Sequence, residues 1–203
     1  GLQYSSKGKK EDNARAFELF KEAIALDSGY ARAYVGLGLT HFFDARFGWA
    51  KSRTESIKMA FKCAQKAIQL DDTLDMAHIL IGAVYVAKRQ YEKAIASIEQ
   101  AVALNPNSAY AHMVLGHTLR FAGRHDEAIP EYKKAIRLNP MPPTNYLFGL
   151  GMAYSWTGQY EEAIKWCEKA VRQDPDSFLA RLMMTQVYCL SGREEEARAE
   201  AAE

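Results

Sequence analysis

Two similar segments follow each other in the middle of the chain with equivalent residues 34 positions apart, and this repeat restricts the possible folds more than any other feature. The first copy ends at Pro106 and reads DMAHILIGAVYVAKRQYEKAIASIEQAVALNP from Asp75. The second copy ends at Pro140 and reads NSAYAHMVLGHTLRFAGRHDEAIPEYKKAIRLNP. The two prolines are 140 − 106 = 34 residues apart. A constant period of this length is typical of solenoids, in which each unit packs against its neighbours in sequence.

The spacing inside each copy predicts two helices joined by a short turn. In the second copy, one run has the positions i, i+3, i+4 and i+7, at His112, Leu115, Gly116 and Leu119, and a second has i, i+4 and i+7, at Ala128, Tyr132 and Ala135. Such intervals place the members of each run on one face of a helix. Gly116 and Ala128 are small enough for the two backbones to approach closely. Asn139-Pro140 ends the second helix, because a residue before proline disfavours helical backbone angles.

The same pattern recurs along the chain. It consists of a Leu-Gly pair or its equivalent, a turn glycine, an Ala-x-x-x-Tyr/Phe-x-x-Ala motif and a closing proline. This pattern resembles the tetratricopeptide repeat (TPR) family. The resemblance implies an all-α, right-handed superhelix, or solenoid, of antiparallel helix pairs in a single domain, 1–203. The predicted units are a partial repeat (1–28), a long repeat (29–72) with an insertion near 45–51, regular repeats (73–106, 107–140 and 141–175) and a last repeat (176–203).

Two features of these units are supported by further residues. Tyr4 and Gly8 are interpreted as the remainder of a first helix in the partial repeat. In the long repeat, Ser52 and Glu55 form a capping-box pattern, so its second helix is predicted to begin near Arg53.

Charge, cysteine content and hydropathy exclude several classes of function. The 26 Lys and Arg residues nearly balance the 25 Asp and Glu residues, and a net charge of +1 gives no reason to expect nucleic-acid binding. The three cysteines, an odd number without a C-x-x-C pair, are predicted to be reduced core residues of a cytoplasmic protein. No apolar run approaches the roughly 18 residues of a membrane span, and no signal-peptide core is found.

No pattern of catalytic, cofactor-binding or metal-binding residues emerges from the sequence. His41, His78 and His112 occupy core-face positions and are predicted to be packed and hydrogen bonded. The spacing of His112 and His117 is wrong for one helix face, and there is no H-E-x-x-H motif. Phosphate-binding glycine loops and nucleophile elbows are also missing. We therefore predict no enzymatic activity, no cofactor and no metal.

The TPR resemblance also implies a binding groove, whose positions flank the core stripe of each first helix. Carried onto this sequence, those positions include Met76, Ile79, Tyr110, Met113, His117, Arg120, Phe121, Phe148, Met152, Trp156, Leu182 and Gln186. They are mostly apolar or aromatic, which predicts a protein or peptide partner that presents an apolar or amphipathic segment. The lysines and asparagines with which some TPR domains hold chaperone C-termini are replaced, for example by Met113 and His117. That class of partner is therefore excluded.

An alternative interpretation assigns part of this set to packing. Apolar stripes at helical spacing usually form core, so Ile79, Val86 and Leu182 are equally well explained as contacts between adjacent first helices. For Tyr110, Phe121, Met152 and Trp156, exposure to solvent or to a partner is the favoured prediction.

The insertion in the long repeat contains Phe47 and Trp49, which are predicted to make contacts outside the regular core. Together with the junction Asn139–Pro143, its sequence Asp44–Trp49 resembles a bacterial TPR region that adjoins class III adenylate/guanylate cyclase or winged-helix regulator domains. The resemblance implies the interaction arm of a larger signalling protein. The alternative is self-association, because Phe17 and Phe20 form an apolar end and solenoids require polar caps.

Overall fold

The computed structural model describes residues 9–202, so Tyr4 and Gly8 lie outside the described residues. Within this range the chain forms eleven α-helices and no strands. The helices are α1 (Lys10–Leu26), α2 (Ala31–Arg46), α3 (Arg53–Leu70), α4 (Asp75–Ala87), α5 (Tyr91–Leu104), α6 (Ala109–Phe121), α7 (His125–Leu138), α8 (Thr144–Trp156), α9 (Tyr160–Gln173), α10 (Phe178–Leu190) and α11 (Glu194–Ala202). The prediction of an all-α fold is confirmed. Over residues 9–202, none of the helices has both the length and the apolar character needed to cross a bilayer.

The helices form two compact units that divide after Pro106, and we call α1 to α5 unit 1 and α6 to α11 unit 2. In unit 1, α2 packs on α3 and α4 packs on α5, while α1 covers α2 and α3 contacts α4. Small residues allow these close approaches. A Cβ atom at Gly38 would lie 2.6 Å from Cδ2 of Leu80 and 3.2 Å from the carbonyl oxygen of Ala60.

The insertion between α2 and α3 is a short structured loop. Helix α2 continues to Arg46, so the loop begins two residues later than the predicted position 45. The carbonyl oxygen of Asp44 accepts hydrogen bonds from the backbone N–H groups of Trp49 and Ala50, and Gly48 supplies the positive φ of 72° that the turn requires. The hydroxyl oxygen of Ser52 accepts a hydrogen bond from the backbone N–H of Glu55, which confirms the predicted start of α3 at Arg53.

Unit 2 consists of three helix pairs, α6/α7, α8/α9 and α10/α11. We call α6, α8 and α10 the A helices and α7, α9 and α11 the B helices. Each A helix contacts the next, α6 with α8 and α8 with α10. Tyr132 of α7 is fully buried between two A helices, because Gly116 of α6 and Gly149 of α8 both leave room for its ring.

The cysteines differ from their prediction at one position. Cys63 and Cys167 are buried, and burial raises their thiol pKa values to about 11 and about 12. Cys189, near the end of α10, is exposed, so the prediction that it is a core residue is wrong. All three are free thiols.

The three histidines with predicted packing roles all make contacts within the fold. His112 is buried, and its Nδ1 atom is hydrogen bonded to the carboxylate of Glu131, as predicted. His41 packs edge-on against the ring of Phe17, and burial lowers its pKa. His78 lies nearer the surface, with Nε2 3.4 Å from the carbonyl oxygen of Asp72.

Candidate functional site

The A helices of unit 2 form a surface almost without charge, which we call the A-helix wall. Their sequences contain no Asp or Glu and only two arginines, Arg120 and Arg181. The guanidinium of Arg181 forms an ion pair with Glu200 at 3.0 Å. The B helices, in contrast, carry acids in their first turns. The wall therefore differs from the rest of unit 2 in both polarity and charge.

Several residues predicted to belong to the binding site are buried in the core and not exposed at the surface. Met113, Phe148 and Met152 are buried within unit 2, and Ile79 is buried in unit 1. Met152 is only 2% exposed, so the prediction that it contacts solvent or a partner is wrong. The flexible side chain of methionine adapts readily to an irregular core. Met76 is partly buried and packs on the cluster around Val35 in unit 1.

Other predicted site residues are accessible on the A-helix wall. Phe121 at the end of α6 is 53% exposed, Trp156 at the end of α8 is 52% exposed, and Tyr110 at the start of α6 is also exposed. His117 is half-buried, as is Gln186. The structure thus confirms the predicted exposure of Phe121, Trp156 and Tyr110.

Two of the accessible aromatic rings contact a cationic or titratable side chain. The guanidinium carbon of Arg120 lies 4.5 Å from the centre of the Phe121 ring. The ring of Trp156 stacks on that of His125 from α7, with centres 5.6 Å apart and planes 12° from parallel. Burial lowers the pKa of His125, the positive charge of Arg120 lowers it further, and Asp126 opposes both effects. We call Arg120, Phe121, His125 and Trp156 the arginine platform.

The core residue Tyr132 contacts this platform. Its hydroxyl group shares a hydrogen bond of 2.9 Å with Nδ1 of His117, and the two rings meet edge to face. Burial raises the pKa of Tyr132 to about 12, and the neighbouring Arg120 guanidinium partly opposes this rise. The polar end of a core residue thus reaches the A-helix wall.

Sequence reasoning missed His125 and Tyr132 as parts of the site, because both belong to a B helix. The available signal was Gly149. This second glycine in α8 is close to Gly151 and is not required by the repeat pattern. A Cβ atom there would lie 2.7 Å from Cε1 of Tyr132. The glycine therefore leaves the space that the tyrosine ring occupies between α6 and α8.

Leu182 lies in a different place from the platform. It lines a cleft of about 530 Å³ at the α10–α11 end of unit 2, together with Phe178, Arg181, Thr185 and Glu200. Leu182 is 45% exposed, whereas its counterparts Met113 and Phe148, two repeats and one repeat earlier, are 5% and 7% exposed. The same repeat position is therefore buried in the two preceding repeats of unit 2 and accessible in the cleft.

The insertion residues form an aromatic cluster on unit 1. The rings of Phe47 and Trp49 stack with centres 4.8 Å apart, and Phe43 lies 6.1 Å from Phe47. Phe47 is exposed and the guanidinium of Arg46 covers one side of its ring at 5.7 Å. In the described part of the chain, no group of three or more His, Cys, Asp or Glu residues is arranged to hold a metal ion.

Comparisons with known proteins agree with the repeat pattern. Two sequence models of the tetratricopeptide repeat match the chain, one at residues 80–141 and 115–178 and the other at 157–203. Together they span 80–203, more than half of the 203 residues. The chain belongs to the tetratricopeptide repeat family, and its fold class is a TPR-like helical solenoid. No protein of curated function matches the sequence.

Solved structures of TPR proteins resemble the chain over most of its length. MamA is 26% identical, with a TM-score of 0.61 over 82% of this chain and 91% of MamA. YrrB, described as a TPR protein with an unusual peptide-binding site, is 24% identical, with a TM-score of 0.63 over 91% of this chain and 90% of YrrB. TTC0263, a thermophilic TPR protein of Thermus thermophilus, is 19% identical, with a TM-score of 0.71 over 88% and 92% of the two chains.

Proposed function

We propose that this chain is a non-enzymatic scaffold whose A-helix wall in unit 2 binds an apolar or amphipathic peptide segment. The observation that carries the proposal is the pair Phe121 and Trp156, two large aromatic side chains at equivalent helix ends, each about half exposed. Tryptophan and arginine are among the residues that most often dominate binding energy at protein interfaces. The peptide-binding site of the similar protein YrrB supports a role in binding for the same fold.

Replacement of Trp156 with alanine is expected to weaken peptide binding at least tenfold, which corresponds to about 1.4 kcal/mol. The free energy of unfolding should fall by no more than about 1.5 kcal/mol, because the indole ring is half exposed and its main interaction is the stack on His125. Peptides selected from a random display library on the wild-type protein serve as probes, and their affinity is measured by fluorescence anisotropy.

The matched control is Tyr30→Ala, which removes a similarly exposed aromatic side chain from unit 1. It should leave peptide affinity unchanged. A large decrease in the stability of Trp156→Ala with unchanged peptide affinity would show that Trp156 is a packing residue and would contradict the proposal.

A second candidate function is self-association of two copies through the cleft at the α10–α11 end. The exposure of Leu182, a position buried in the preceding repeats of unit 2, favours it. Sedimentation over a concentration series is expected to show dimers, and Leu182→Glu should shift the chain to monomer. Leu179→Glu is the matched control, because Leu179 is equally exposed on α10 but does not line the cleft. A wild-type chain that stays monomeric at high concentration would rule this function out.

The wider context of the chain is proposed from sequence alone. The resemblance of Asp44–Trp49 and Asn139–Pro143 to repeats next to cyclase or winged-helix domains supports a regulatory arm of a bacterial signalling protein. The three free thiols support a cytoplasmic location, since disulfides are rare in reducing compartments. The aromatic cluster of Phe47 and Trp49 is proposed as a separate contact surface on unit 1, and Met76 and Ile79 support the packing of that unit.

A further inference from the structure

Among the described residues, Arg120 is the one charged residue of the A-helix wall that has no opposite charge paired with it. The other arginine, Arg181, is paired with Glu200. None of the ion pairs among residues 9–202 includes Arg120, and the A helices themselves contain no acid. Its Nε atom is buried and has no hydrogen-bond acceptor within the described part of the chain. An arginine in this environment is well suited to bind an anion.

The surroundings of Arg120 hold its side chain in place. Phe121 packs against the guanidinium group at 4.5 Å, and the Tyr132 hydroxyl lies next to it. The positive charge of Arg120 acts on His125 and lowers the pKa of its imidazole. Nδ1 of His125 is also buried without a partner among the described residues. Because burial strengthens charge interactions, a carboxylate here would gain more than at an exposed arginine.

The rings beside Arg120 restrict what can carry that carboxylate. Phe121 packs on Arg120, Trp156 stacks on His125, and both rings are exposed, so the ligand must also present apolar surface. Nucleic acid requires several lysines or arginines that follow the phosphates, whereas the described wall has a single arginine outside an ion pair and the chain a net charge of +1. A peptide with an acidic residue among apolar ones satisfies both requirements.

We infer that the arginine platform recognises an Asp or Glu side chain flanked by aromatic or aliphatic residues, with the carboxylate on Arg120 and the apolar neighbours on Phe121 and Trp156. This inference rests on the proposed function and identifies the chemical class of its ligand. Recognition is by a charge-assisted hydrogen bond, which planar guanidinium forms with carboxylate in a two-point geometry that lysine lacks.

The test begins with the random peptide library selected on the wild-type chain. The enriched peptides are expected to contain Asp or Glu next to Trp, Phe or Leu. One such peptide and its Glu→Gln or Asp→Asn counterpart are then synthesised, and the wild-type chain should bind the neutral peptide about tenfold more weakly. This comparison uses the wild-type protein alone, so it does not depend on the folding of any variant.

A double-mutant cycle assigns the effect to Arg120. Arg120→Gln should weaken binding of the acidic peptide about tenfold and leave that of the neutral peptide unchanged, and Arg120→Lys should restore only part of the affinity. Arg181→Gln is the matched control, because that arginine is already paired with Glu200. Circular dichroism spectra verify that each variant is folded.

The outcomes separate the inference from the function on which it rests. Selected peptides without acidic enrichment, or a cycle without coupling, overturn the inference and leave the peptide-binding function in place. A library that yields no binding peptides overturns both. Competition by a single-stranded RNA oligonucleotide would show that the platform recognises phosphate, and would overturn the assignment to a peptide carboxylate.

Discussion

Replacing Tyr132 with alanine is expected to lower the free energy of unfolding by about 3–5 kcal/mol, as for other fully buried aromatic residues. Its ring is inaccessible to solvent and fills the space that Gly116 and Gly149 leave between α6 and α8. The surrounding helices cannot collapse into this space without giving up their packing on each other. Urea denaturation of the whole chain, followed by circular dichroism, measures the change.

The matched variant Tyr132→Phe keeps the ring and removes only the hydroxyl group. It should cost about 1 kcal/mol, because it removes the hydrogen bond to His117. If the alanine and phenylalanine variants were equally stable, the ring would not be the element that holds these three helices together. The phenylalanine variant also indicates how far the arginine platform depends on the core, since the hydroxyl that it removes lies beside Arg120.

The repeat pattern of the sequence predicts which helix faces are buried, because small and apolar residues recur there at helical spacing. Ala128 and Ala135 are fully buried, as their spacing indicates. The start of α3 at Arg53 is local, since Ser52 and Glu55 form the cap within four residues. Such features can be derived from a single sequence.

The exposure of groove positions cannot be derived in the same way, because it depends on the side chains of the neighbouring repeat. Met152 and Trp156 are one turn apart on α8, yet only Trp156 reaches solvent. Trp156 stacks on His125, a B-helix residue that the A-helix pattern does not include. The residues of the arginine platform come from three helices of two consecutive repeats. Their proximity depends on packing between the repeats, which the spacing within one repeat does not predict.

Close approach of helices in unit 2 predicts a further large effect, at Gly151 of α8. A Cβ atom at this position would lie 2.5 Å from Sγ of Cys167 and 3.0 Å from the carbonyl oxygen of Ala163. Cys167 is fully buried and cannot turn away, and the carbonyl belongs to the backbone of α9. Gly151→Ala is therefore expected to lower the free energy of unfolding by up to about 3 kcal/mol, even though alanine gains about 1 kcal/mol in helix propensity.

Gly116→Ala is the matched control, since Gly116 occupies the same repeat position in α6. Its Cβ atom would lie 3.1 Å from the ring of Tyr132, a tight contact but 0.6 Å longer than the contact of the Gly151 position with Sγ of Cys167. The gain in helix propensity should nearly offset this cost, so the stability should change by less than about 1 kcal/mol. Equal effects of the two substitutions in urea denaturation would contradict the explanation by backbone proximity. In a Cys167→Ala background, Gly151→Ala should cost less, because the nearest of the obstructing atoms is gone.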